Sequence, residues 1–183
     1  TRDDDYLAMH TAHVFYLSLM MGNVVRARIN QACKLSPGRY ISGTEDLDLT
    51  PLALAALFMD LAMVPLRNLF TQTEPLTLEQ CEGSRLGDDV PDLTKLIVET
   101  HHENFDGSGY PYGLVGGEIH ILARILRITD AYSAATTKHV YREACSDVRA
   151  LWEMCWGSFK QFYDPILLKV FSSLVQPFPI GAK

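Results

Sequence analysis

The sequence predicts an all-α domain, a bundle of about seven helices, because three observations agree. Apolar residues recur three and four apart through the long stretches, as in Leu7, Val14, Leu17, Met21, Val24 and Val25. No stretch of useful length alternates apolar and polar residues as a half-buried strand would. Cap-and-proline pairs, Thr50-Pro51 and Asp164-Pro165, stand where helices should begin.

In chain order, the first helix is expected from about Asp5 to Ala32, with Asp3, Asp4 and Asp5 suited to its positive end. A loop over residues 34–50 follows, long for a compact domain. Thr50 is expected to cap a helix that runs through Met63 and is apolar almost all round, hence central and buried. Thr77 and Gln80 form a capping-box pair for a short helix, and the glycines and aspartates at 83–89 read as loop. Pro91 opens a helix carrying Leu93, Leu96, Ile97 and Val98, which delivers His101 and His102. Ile121 to Lys138 is amphipathic and carries Asp130. Ser146-Asp147 starts a helix through Trp152, Trp156 and Phe159, and Asp164 caps the last one, through Val170 and Phe171. Residues 1–175 read as one domain and 176–183 as a frayed tail.

A length of 183 residues with 48% hydrophobic content supports one well-packed core rather than two domains. A formal charge of −6 argues against long nucleic acid or an anionic membrane surface as partner. Residues 51–66, the most apolar run, are short and carry Asp60, so membrane insertion is not expected. Cys33, Cys81, Cys145 and Cys155 are scattered without a CxxC pair and read as reduced, mostly buried thiols of a cytoplasmic protein. The chain opens TRDDDY without methionine, as an excised part of a longer protein would.

The chemistry concentrates in HHENFDGSGYP, His101 to Pro111. Adjacent histidines on a helix point about 100° apart, which suits two metals in one site or one metal between the rings. Gly107 and Gly109 open backbone angles closed to other residues, and Pro111 stiffens the exit.

This string resembles the signature of HD-GYP domains, the metal-dependent phosphodiesterases that hydrolyse bacterial cyclic di-GMP. The resemblance continues through Gly113-Leu114, ILARILRITD at 121–130 and Tyr141-Arg142, and covers most of the chain. It implies an HD-domain-like bundle with a GYP loop between two core helices, and metal ligands at His10, Asp60, His101, His102 and Asp130. Imidazoles with carboxylates suit iron or manganese. It also implies that Gly109, Tyr110 and Pro111, with His139 and Arg142, line the dinucleotide site. His13 stays a core residue.

Several positions depart from the family pattern. Met59 stands in place of the histidine of the His-Asp pair, Met63 in place of a lysine, and Tyr6 in place of a glutamate that ligates a third metal. His139 replaces an arginine and Ser133 an aspartate, and no histidine lies between Met63 and Thr100, where Cys81, Asp88 or Asp89 are the substitutes on offer. A thioether is a poor ligand for hard divalent ions. The loop at 34–50 is longer than the family's usual link. The resemblance therefore implies a degenerate member holding about one divalent metal, with Asp60 the catalytic candidate. Such a protein would bind cyclic di-GMP or a partner, a diguanylate cyclase domain among the possibilities, with little or no hydrolysis. The alternative is an active phosphodiesterase. Asp60, His101, His102 and Asp130 are expected to converge from three helices.

Overall fold

The computed structural model describes residues 2–35, 47–59, 86–87, 89–138 and 144–175, with side chains from Tyr6 onward. Among these residues six α-helices carry the architecture: α1 (Arg2–Leu35), α2 (Thr50–Phe58), α3 (Asp92–Thr100), α4 (Ile121–Thr136), α5 (Asp147–Trp156) and α6 (Pro165–Leu174). Two 3₁₀ turns, Gly116–Glu118 and Lys160–Phe162, complete them. The described residues contain no strand; one isolated bridge joins Asp106 to Val115.

The all-α expectation holds. The expected capping-box helix at Thr77, and the helix beyond Met59, lie outside the described residues.

Helix α4 is the hub. It packs against α1, α3, α5 and α6, and also touches α2. Its Leu122, Ala123, Ile125, Leu126 and Ile128 are fully buried, and they meet the Val14, Leu17 and Met21 stripe of α1 in one core. Within that apolar stretch Ser18 Oγ and Thr129 Oγ1 lie 2.7 Å apart, each removing the other's desolvation cost. Among the described residues no helix is long and apolar enough to cross a membrane.

Several boundaries differ from the sequence reading. Helix α1 runs three residues further at each end. Thr50 does not cap α2; it lies inside the helix, and its N–H donates to Asp48 Oδ1 at 2.9 Å, so the aspartate two residues earlier takes that role. Helix α3 stops at Thr100, leaving His101 at its C-cap and the pair in a turn. Helix α5 stops at Trp156, because Gly157 follows in extended backbone, and Phe159 belongs to the turn beyond. Cys33, Cys145 and Cys155 are free thiols but partly exposed rather than buried.

The other two caps are as expected. Ser146 Oγ accepts from Arg149 N at 3.4 Å. Asp164 Oδ1 accepts from Ile166 N and Leu167 N, while its other oxygen takes a 2.6 Å ion pair from Arg124 of α4. One buried carboxylate thus fixes both the start of α6 and its seat on the hub.

Candidate metal and ligand site

The site forms where the end of α3, the N-terminal part of α1 and the C-terminal half of α4 meet. His10 is buried on α1 and commits both ring nitrogens across the interface. Its Nε2–H donates to Asp130 Oδ1 at 3.1 Å, and its Nδ1 meets Ser133 Oγ at 2.9 Å. Tyr6, one turn earlier, stacks flat against the imidazole with ring centroids 5.6 Å apart. So two of the departures from the family pattern, Tyr6 and Ser133, both rest against the first-helix histidine. His13 is half-buried beside Tyr132; burial first, then His10, lowers its pKa, against the pull of Asp147.

At the end of α3, His101 is buried and donates Nδ1–H to the Val98 carbonyl at 2.5 Å. That bond leaves Nε2 as the basic nitrogen, the orientation that metal-ligating histidines take from a second hydrogen bond. The ring of His102 lies 4.0 Å from that of His101, centroid to centroid, and on its other side packs on Tyr110 at 4.8 Å. Burial, then His101, pushes the His102 pKa down to about 3, with Arg127 adding and Asp130 opposing. For Asp130, burial alone would raise the carboxyl. The His10 hydrogen bond and the imidazoles of His101, His10 and His102 outweigh it and hold the group below the usual carboxylate range.

The low His102 pKa makes a pH prediction. Below pH 6.5 the unfolded chain takes up a proton on His102 that the folded chain refuses until about pH 3, so stability falls as pH falls. From pH 6.5 to 5 the metal-free protein should lose at most about 2 kcal/mol from this group. Asp130, depressed from 3.8, titrates below that window and does not mask the effect. Urea melts at pH 7, 6 and 5 check it. The slope should flatten in His102→Gln, and an unchanged slope rejects the assignment.

The loop from Glu103 to Leu114 is held from inside. Glu103 is only 1% exposed, and its carboxylate accepts three backbone N–H groups: Tyr112 at 2.6 Å, Gly113 at 3.1 Å and Leu114 at 3.0 Å. This is the residue that sequence reasoning missed; an acidic side chain directly after the histidine pair and ahead of a glycine turn was the available signal. Asn104 is pinned from α4, where Arg127 Nε and Nη2 both donate to its Oδ1 at 3.1 and 3.0 Å. Arg127 in turn lies over the Tyr163 ring at 5.6 Å. Phe105 N donates to the Phe162 carbonyl at 2.9 Å, tying the loop to the turn before α6.

The two glycines singled out in the sequence differ in role. Gly107 sits at φ +83, where L side chains are strained. Gly109 does not have a positive φ; it is needed because a Cβ there would run into the backbone of Glu103 and Asn104. Tyr110 and Pro111 follow through a cis peptide bond, and Tyr110 is 58% exposed, so its ring faces outward over His102. The hydroxyl of Tyr112 donates to Glu99 on α3.

Of the expected metal positions, His10 on α1 is hydrogen-bonded to Asp130 on α4, and His101 and His102 lie ring to ring in the turn after α3, near enough to Asp130 to help lower its carboxyl pKa. Imidazoles beside a carboxylate match in kind the donors that divalent iron or manganese accept. Among the described residues no three His, Cys, Asp or Glu side chains are grouped to enclose an ion. Asp60, His139, Arg142, Met63, Cys81 and Asp88 lie outside the described residues, and Asp89 is exposed. Met59 is 1% exposed within the apolar core.

An all-helical frame presenting a histidine pair, a facing aspartate and a clamped glycine loop defines the class. Residues 88–167 match the HD domain family model. The fold is similar to that of the HDG"Y"P protein Bd1817 from Bdellovibrio bacteriovorus, with TM-score 0.52 over 90% of this chain and 51% of that one, at 16% identity. In sequence, the cyclic di-GMP phosphodiesterase PA4108 of Pseudomonas aeruginosa is 32% identical over 103 residues, 55% of this chain and 24% of its own length. The cyclic di-GMP phosphodiesterase response regulator RpfG of Xanthomonas campestris pv. campestris is 49% identical over 70 residues, 38% of this chain and 18% of its own. The matches thus span a quarter or less of these relatives.

Proposed function

We propose that the chain is a degenerate HD-GYP domain of cyclic di-GMP signalling, one that binds cyclic di-GMP or a related dinucleotide, or a partner protein, with little or no hydrolysis. The observation that carries this reading is Met59. It is sealed in apolar packing at the position where the resemblance implies a ligating histidine, so neither its chemistry nor its exposure suits a hard metal ion. His101, His102 and Asp130, with His10 and Asp60, would hold one divalent iron or manganese ion, which when bound supplies Lewis acidity toward a phosphate oxygen.

The protein's own groups then have separate tasks. Asp130 keeps a negative charge beside the paired imidazoles, and the Val98 carbonyl fixes the His101 tautomer. Glu103 sets the shape of the loop, and Tyr110 offers an exposed aromatic face to a base or phosphate. Gly109 and Pro111 would line that contact, with His139 and Arg142 supplying the polar ones. Histidine cannot copy the planar two-bond fork of arginine on guanine, which favours weaker binding. An active phosphodiesterase is the second reading, and the paired rings of His101 and His102, with an Asp130 carboxyl held below its usual range partly by them, favour it.

The test is a calorimetric titration with cyclic di-GMP, run beside metal analysis and a hydrolysis assay with added iron or manganese. Expected are saturable binding, about one metal or fewer per chain and no turnover above background. The loss of even one electrostatic contributor typically costs on the order of a hundredfold in rate. Robust hydrolysis by the unmodified chain, abolished in His102→Ala, would establish the second reading instead.

A further inference from the structure

Helix α5 is apolar on two faces. Ala150, Leu151 and Met154 are buried against the bundle, as an amphipathic helix requires. The opposite face should then be charged. Instead it carries Val148, Trp152 and Trp156, which are 41%, 54% and 71% exposed. These lie four residues apart, so at about 100° per residue they form one stripe along the helix. Phe159, 52% exposed, extends the apolar surface past the helix end. Contiguous exposed aromatic surface of this kind marks an interaction site far more often than isolated apolar residues do.

The charges beside the stripe identify its occupant. Arg149 and Glu153 both fall on one flank, and the other flank carries Cys155. When two identical helices pair antiparallel about a two-fold axis, each flank meets the same flank of the other copy. With the axis near Trp152, Trp152 lies against its own equivalent and Trp156 against Val148. Arg149 of each copy then lies near Glu153 of the other. The stripe and its flank are complementary to themselves. In a parallel pair the charged flank would meet the uncharged one, and both charges would lack a counterpart.

We infer that α5 is a self-association surface, pairing antiparallel with α5 of a second copy of this chain. The area is small: aromatic side chains bury about 150–250 Å² each, and a pair of short helices falls below the roughly 800 Å² per partner of a standard interface. The dimer is therefore weak, at the small end of stable interfaces.

Sedimentation equilibrium of the 183-residue chain across about 1–200 µM reads it directly. The expected result is a monomer–dimer equilibrium. Trp152→Ser should raise the dissociation constant about thirtyfold or more, as loss of a central aromatic does. At low salt, Arg149→Glu and Glu153→Arg should each weaken association about fivefold by placing like charges together, and the double swap should restore it to within about threefold. These side chains lie on the outer face, so circular dichroism should show each variant folded. A chain that stays monomeric throughout overturns the inference. So does association indifferent to Trp152→Ser, or a double swap no better than the single ones.

Discussion

Replacing Glu103 with alanine should lower the melting temperature by about 6–12 °C, corresponding to roughly 3 kcal/mol for a chain of this size. The side chain is 1% exposed and receives three backbone N–H groups within 3.1 Å. Its removal leaves those donors without an acceptor, and each such loss costs about 1–3 kcal/mol when water cannot reach it. Tyr112 and Gly113 are exposed residues, so water would recover part of the loss, which keeps the total near the lower end of the sum. Glu103→Gln separates two contributions. It fills the same volume but turns an NH₂ group toward one of the donors. If packing alone mattered, the glutamine variant would melt with the unmodified protein. The expectation is that it recovers no more than about half of the alanine loss, since charge-assisted hydrogen bonds are roughly twice as strong as neutral ones. Differential scanning calorimetry decides between these outcomes.

Gly109→Ala should be as damaging, for a different reason. The new methyl group would occupy the space of the Asn104 amide and the Glu103 backbone, and these cannot swing aside as the tip of a long side chain could. The loop must lift away from the end of α3, which strains or breaks the Glu103 hydrogen bonds and displaces Tyr110 from His102. Overpacking alone costs about 1–3 kcal/mol, and the lost bonds add to it. A fall of about 3 kcal/mol or more is expected in urea melts and, on the function proposed above, loss of cyclic di-GMP binding. By contrast Gly117→Ala, where a Cβ would meet nothing, should leave both unchanged and serves as the control. Full stability in Gly109→Ala would show that the close approach is not required.

What could be read in the sequence was local. The Ser146 and Asp164 caps, Pro91 at the entry to α3 and the periodicity of α1 and α4 all depend on residues within a few positions of each other, and each took its expected place. The end of α3 did not. An apolar run followed, after Glu99 and Thr100, by two histidines carries no glycine or proline to mark a stop, yet the helix ends at Thr100. Within the site, His10 and Asp130 were recognisable by resemblance, but their mutual hydrogen bond was not. Ser133 read as a lost aspartate, whereas in the folded chain its hydroxyl meets the His10 ring. Glu103 escaped notice because its partners are backbone amides, which no pattern of side chains records.

The joining of α1 to α4 has a consequence for how the protein is made. His10 contacts Ser133 across 123 positions of sequence, and Ser18 contacts Thr129 across 111. A ribosome adds about 5–20 residues per second, so α1 is complete roughly 5–20 s before the helix that packs on it has been synthesised. Helix α2, which also packs on α1, arrives sooner. Pairings this distant slow folding, because the closure of a long loop must precede any gain from the contact. The histidine and aspartate therefore meet late in synthesis.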